Sequence, residues 1–438
     1  MKSFGCLAAG IVMAVTGCVD AGEVSDGETA SDNFTETSRA LDESAMRELA
    51  SVGFTPEETK AVAESIAISK LLGVQSFVSE ANDGYSASAA SVRRESHGKH
   101  QGCLRAKVDV TTAPGAGAFQ KGTSYPAWIR LSNGGAYQRD DKSKHISRGW
   151  GIKLLGVEGT PTGTHDFLFI TSPRFFIHDI RHYPGFLKAS GNGRLGFVWN
   201  LLTNMSWEEK QVIIHRLGLE VSNLLESPQY SAVPYEYGSE RVKYAVAPCG
   251  DSPPTTPVSR PPPDGSSDDY LEEAMNATLE SADSAKGVCY SFFIQRSRSE
   301  SQDPIDNPTQ AWEGAFEQVA TITIPHSQQR GARADYRQND AECERMAFDP
   351  FNTTDASRPL GKTNWTRKFV YAALNRFRRV EMPDIYARWQ QNHDDRSIPI
   401  EYRKELRKLR DPKALAPKVK DTSEPVIDDG FRKLGIVQ

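Results

Sequence analysis

Residues Thr363–Arg379 read TNWTRKFVYAALNRFRR. The preceding Pro359-Leu360-Gly361 is a turn signal, and Thr363 or Asn364 is placed to cap a helix. Trp365, Phe369, Ala373, Phe377 and Val380 recur at helical spacing and predict one apolar stripe. At about 100° per residue, Arg367 and Arg378 project within roughly 40° of Tyr371, on the opposite side. Positive charge beside a phenol favours the phenolate, a hard anionic oxygen donor. By itself the stretch reads more simply as a surface helix with a solvated Arg/Tyr face, so its meaning turns on the rest of the chain.

The chain has 438 residues, 38% hydrophobic and 25% charged, with a net charge of -5. It is long enough for one large or two ordinary domains with real cores, and it lacks the basic excess of a nucleic-acid binder. Met1-Lys2, the apolar run Leu7–Val15 and the small-residue exit predict a secretory signal over 1–17, too short to span a membrane. Val15-Thr16-Gly17-Cys18 resembles the bacterial lipobox, which implies acylation of Cys18 and a membrane-anchored, exported protein; an ordinary cleaved signal is the alternative. Residues 18–40 are acidic and rich in Ser and Thr, and predict a disordered tether. An exported chain can hold disulfides. Cys103, Cys249, Cys289 and Cys343 remain for pairing in one of three ways, and their spacing matches no zinc motif.

Residues 41–90 predict a helical segment, with Thr55-Pro56-Glu57-Glu58 as a strong start signal. From 91 to 390 the texture is that of one domain of short strands and helices. Strands are expected at Ala106–Thr112, Ala127–Ser132, Gly149–Val157, Asp166–Thr171, Val242–Ala247, Val288–Arg296 and Gln318–Ile324. Alternation places Trp128, Arg130 and Ser132 on one face and Ile129 and Leu131 on the other. The segment His182–Asn204 is expected to be partly helical. Ser206-Trp207-Glu208-Glu209 should cap a helix running to about Leu225, and Tyr270–Leu279 is a further helix. The proline-rich stretch 250–266 predicts a surface crossing. Within 391–438, Tyr402–Arg410 reads as a charged helix and the tail from Asp411 as peripheral.

Taken together and in order, these segments resemble the haem catalase superfamily, specifically its shorter bacterial catalase-related branch. Arg94-x-x-His97-x-Lys99 looks like the segment with the distal histidine and a propionate-binding arginine, and Ile129-Arg130-Leu131-Ser132 like the strand with a second such arginine and a serine bonded to that histidine. Arg148–Lys153 (RGWGIK) is similar to the RGFAVK strand, and Ser172–Asp179 (SPRFFIHD) to the TPIFFIRD signature containing Phe175. Tyr183 falls where the family has the phenylalanine that stacks on haem. Met346–Pro350 (MAFDP) matches LAFDP, Arg367-x-x-x-Tyr371 the proximal RxxxY, and Arg378 the third propionate arginine.

The resemblance implies an α+β fold, a catalase-like antiparallel β-barrel core wrapped by helices. It implies haem b, with Tyr371 as iron ligand, His97 as distal acid–base and Ser132 as its orienting partner. Arg94, Arg130, Phe175, Tyr183, Arg367 and Arg378 would hold the cofactor. The sequence departs from the family on the distal side. Ile170 stands where the family has its distal asparagine, and Ile146 where it has an access-channel aspartate; Ser96, before the histidine, replaces a valine of ordinary catalases. An apolar cavity favours a peroxide with an alkyl chain to bury. The expected function is therefore a haem enzyme that decomposes or rearranges organic or lipid hydroperoxides. A hydrogen peroxide catalase and a non-catalytic haem-binding lipoprotein are the alternatives, and a homo-oligomer stays open.

Overall fold

The computed structural model describes residues 40–82, 100–111, 115–133, 148–326, 346–410 and 429–437, apart from breaks at 192, 218, 251–252, 256, 268–269, 284–285 and 434. The leader, tether and Cys18 lie outside these residues, as do Arg94, Ser96, His97, Ile146 and Cys343.

Nine antiparallel strands form one sheet: β1 (His100–Val110), β2 (Ser124–Asn133), β3 (Arg148–Leu155), β4 (Thr164–Ile170), β5 (Gln229–Tyr230), β6 (Tyr235–Tyr237), β7 (Glu240–Pro248), β8 (Val288–Arg296) and β9 (Phe316–Ile324). The order β5-β4-β3-β2-β1-β9-β8-β7 closes on itself because β5 also pairs with β7, giving an eight-stranded barrel with β6 added to β7. Closure removes the free edges that an open sheet would expose. The seven strands expected from the sequence are present, shifted by a few residues at their ends. The short β5 and β6 escaped the sequence reading because two or three residues carry no period-2 signal.

Alternate residues fill the barrel. Leu104, Ile129, Ile152, Phe167, Tyr244 and Phe292 belong to its buried core, and Phe119 reaches in from a loop to pack on Phe167 and Phe292. Residues directly opposite in antiparallel register share a face. The register Cys103↔Arg130↔Gly151↔Leu168 and Ser132↔Gly149↔Ile170↔Tyr230 therefore puts these side chains together on the outside.

The helices described are α1 (Glu43–Ser51), α2 (Pro56–Asn82), α3 (Tyr183–Gly191), α4 (Gly193–Asn204), α5 (Trp207–Leu217), α6 (Tyr270–Ser281), α7 (Gly361–Arg376), α8 (Met382–Gln391), α9 (Ile400–Leu406) and α10 (Asp429–Lys433); α6 sends Leu271, Met275 and Leu279 into the barrel core, whereas Tyr371 of α7 and Phe431 of α10 pack on the outer face against Trp128. Two of the helices start with reciprocal capping boxes. In α2, Thr55 N donates to Glu58 Oε2 at 2.8 Å and Glu58 N to Thr55 Oγ1 at 3.2 Å. In α5, Ser206 and Glu209 make the same pair of bonds. Helix α5 ends at Leu217, well before Leu225; Val221, Leu224 and Leu225 instead enter the barrel core from an irregular segment.

The opening stretch differs from expectation in three ways. Helix α7 begins at Gly361 with no side-chain cap, so Thr363 and Asn364 lie inside its first turn. A π-helical turn, Phe377–Glu381, interrupts it before α8. The wider turn breaks the α-helical phase, so Val380, assigned to the buried stripe, is 60% exposed. The tail also corrects its reading. Phe431 is fully buried against Trp128, and the Arg105 guanidinium lies 4.5 Å from the Trp128 ring and 5.5 Å from that of Phe431. An aromatic ring that covers an apolar strand face is worth burying wherever it sits in the chain. Of the disulfide pairings, Cys249–Cys289 is formed across β7 and β8, and Cys103 is also disulfide-bonded.

Candidate functional site

Helix α7 is held by packing and ion pairs with the N-terminal helices. Its apolar Val370 and Leu374 pack with Leu49, Phe54 and Ile66 of the N-terminal helices and their turn. Lys362 pairs with Glu58 at 2.8 Å, Lys368 with Glu48 at 2.5 Å, and Lys70 with Glu381 in the π turn at 2.7 Å. These contacts turn the opposite side of α7 toward the barrel. There Tyr371, 6% exposed, packs in one cluster with Trp128, Leu168, Met346 and Phe348. A solvated Arg/Tyr face is excluded.

Arg367 lies one turn before Tyr371, its guanidinium 5.4 Å from the phenol ring centroid. Its Nη1 donates to Asn364 Oδ1 at 2.9 Å, and Asn364 in turn donates to the carbonyls of Pro234 and Leu360. Burial is the largest influence on Arg367 and works against its charge, but the phenols of Tyr371 and Tyr235 outweigh it and hold its pKa above the ordinary arginine value. Arg378 is 1% exposed; its Nη2 donates to Met346 O and Asn375 Oδ1, each at 3.4 Å. Its burial depends on the π turn that carries it.

A small recess, partly open to solvent, lies beside Tyr371. Its walls are Phe175, Ile177, Ile180 and Tyr183 on one side, and Thr363, Thr366, Arg367, Val370 and Tyr371 of α7 on the other. The buried Thr366 hydroxyl has no hydrogen-bond partner. The segment SPRFFIHD is held by Glu209, which accepts from the backbone of His178 and Asp179 at 3.1 and 3.3 Å and from His182 Nδ1 at 2.8 Å. His182 is raised in pKa, first by that hydrogen bond.

On the barrel side, Arg130 and Ser132 are buried on the outer face of β2, and Ile170, half-buried at the end of β4, shares that face. Two stretches distant in sequence meet beside them. Lys153 Nζ bonds buried Asp166 at 2.5 Å, and Asp166 Oδ2 accepts from Asp349 N at 2.9 Å. Phe348 lies flat enough on β3 that a Cβ at Gly151 would stand 2.9 Å from its Cδ1. Gly151 is therefore required by close approach, not by backbone conformation.

The structure thus brings Phe175, Tyr183, Arg367 and Tyr371 to one cavity, and puts Arg130 and Arg378 at the cluster that contains Tyr371. Sequence reasoning missed Tyr235 and Asn364, the second phenol and the amide that hold Arg367; β6 is too short, and an asparagine inside a helix is too ordinary, to have signalled either. A buried phenol beside a guanidinium has the chemistry of a ferric haem ligand, and aromatic Phe175 and Tyr183 stand across the recess from it. Among the described residues no cluster of three or more His, Cys, Asp or Glu is arranged to hold a bare metal ion.

No family model and no curated protein sequence matches the chain. Solved structures do. Catalase A from Saccharomyces cerevisiae is similar over 79% of this chain and 70% of its own, with a TM-score of 0.51 and 18% identity. A fungal catalase is similar over 65% of this chain, with a TM-score of 0.50 and 19% identity, and the chain spans about 60% of that catalase's length. The fold is the catalase fold.

Proposed function

We propose that this protein is a haem-dependent enzyme that decomposes peroxides, with organic or lipid hydroperoxides as its preferred substrates. One observation carries the reading: on a catalase fold, the buried Tyr371 phenol lies beside the Arg367 guanidinium at the wall of a cavity. Tyr371 would ligate the iron, and Arg367 would offset the negative charge of its oxygen. Arg130 and Arg378, with Arg94, would receive the two haem carboxylates in a site where an unpaired charge is costly. Phe175 and Tyr183 would flank the ring. Haem bound there would supply the redox-active iron that peroxide cleavage needs. His97, three residues before β1, would accept the proton of the incoming peroxide and return it to the leaving oxygen, with Ser132 orienting the imidazole.

The preference for an organic substrate rests on Ile170. Its register puts it on the same strand face as Ser132, and an isoleucine offers no hydrogen bond to a small peroxide. The lipobox-like Val15-Thr16-Gly17-Cys18 supports export and lipid anchoring, which mass spectrometry of the mature N-terminus tests.

Turnover by the purified haem-loaded protein decides the rest. Loss of a fatty acid hydroperoxide's conjugated-diene absorbance without oxygen release is expected. Ile170→Asn should raise oxygen release from hydrogen peroxide, relative to hydroperoxide turnover, by roughly tenfold, the worth of one buried hydrogen bond of about 1.4 kcal/mol. Faster oxygen release by the native protein than any hydroperoxide turnover would establish a catalase instead, and a haem-loaded protein inert to both would leave only haem binding.

A further inference from the structure

Helices α4 and α5 expose large apolar side chains as well as burying them. Their inner sides bury Leu201, Met205, Val212 and Ile213 in one cluster. Their outer sides expose Trp199 at 69%, Leu202 at 53%, Trp207 at 61% and Ile214 at 38%. Trp199 and Leu202 are three residues apart on α4, and Trp207 and Ile214 seven apart on α5, so each pair shares a helix face. Lys210, one turn after Trp207, donates from Nζ to the Leu202 carbonyl at 3.0 Å, which joins the two pairs into one patch. The other exposed large apolar residues among those described, Met46, Val258, Val380 and Ile400, come from separate segments.

We propose that this patch docks onto a lipid bilayer. Indole rings favour the boundary between hydrocarbon and water, and both exposed tryptophans among those described lie here. The stretch 183–217 carries Lys188, Arg194, Lys210 and Arg216 against Glu208 and Glu209, and Glu209 is fully buried. That local basic surplus, in a chain of net charge -5, suits anionic headgroups. The chain ahead of the fold ends in an apolar run and a lipobox-like Cys18. Extended, residues 18–40 reach up to about 75 Å, enough to let any face of the domain meet the membrane; the patch selects one. A chain of aromatic contacts connects the patch to the cavity. From the patch-bearing α4, Phe197 contacts Phe186, Phe186 contacts Phe176, and Phe176 stacks on Phe175 of the cavity. Docking itself does not depend on the proposed peroxide chemistry.

The exposed indoles report on their own surroundings. The full-length protein, as exported, is mixed with vesicles of phosphatidylcholine and phosphatidylglycerol that contain brominated acyl chains, which quench a tryptophan only on contact. The expected result is quenching of the native emission, lowered at least threefold in a Leu202→Asp/Ile214→Asp variant that keeps both reporters and an unchanged melting temperature. Unquenched native emission, or equal quenching in the variant, would overturn docking. So would a native sedimentation coefficient that falls in the variant while quenching stays the same, because the patch would then be a contact with a second copy.

Discussion

The two faces of the barrel wall are equally buried and chemically opposite. Inward, β1 to β4 present Leu104, Ile129, Ile152 and Phe167, which need only fill space. Outward, the same strands present Arg105, Arg130, Ser132, Lys153 and Asp166, each 6% exposed or less. Burying polar groups costs free energy unless something satisfies them. The inner face is thus explained by folding alone, while the outer face is organised around contacts made across it, by Phe431 on Arg105, by Asp349 on Asp166, and at the cavity by whatever meets Tyr371.

Substitutions on the two faces should fail differently. Tyr371→Phe should give the largest effect: haem content falling at least tenfold after purification, with the stability of the haem-free protein changed by less than about 1 kcal/mol. Full haem content with an unshifted Soret band would break the assignment. Phe292→Ala, inside the barrel, should do the reverse. It should cost about 3–5 kcal/mol in denaturant unfolding while the folded fraction keeps its haem. Haem loss without destabilisation would mean that the inner face shapes the site directly.

The smallest effect sharpens the comparison on the far side of the barrel. Lys243 on β7 is buried beside Trp312, and its Nζ has no hydrogen bond. Burial, only partly offset by Asp303, lowers its pKa to about 7. Between that value and the unfolded value of about 10.4, the unfolded chain binds the proton and the native chain does not, so stability rises with pH across this window. Below it the native state bears the whole penalty. Lys243→Met should therefore stabilise the protein by roughly 2–4 kcal/mol at pH 6, with a gain that shrinks as the pH approaches 10. A gain that is constant with pH would show that packing and not charge is responsible.

Much of this was legible in the chain. Seven strands were legible, two of them, Ala106–Thr112 and Ala127–Ser132, through alternation, because one face of each must fill the barrel. The capping box located the start of α2, because its donors and acceptor are three residues apart. The spacing of Arg367 and Tyr371 put them on one helix face, and they meet there. Local geometry decides all of these, and local geometry is what a sequence encodes directly. Tertiary structure decided the rest. Barrel closure through β5, the π turn that exposes Val380 and carries Arg378, the support of Arg367 by Tyr235 and Asn364, and the burial of Phe431 all join residues far apart in the chain or break a local period. No repeat in the sequence announces them, because each exists only once the barrel and helix α7 have closed on one another.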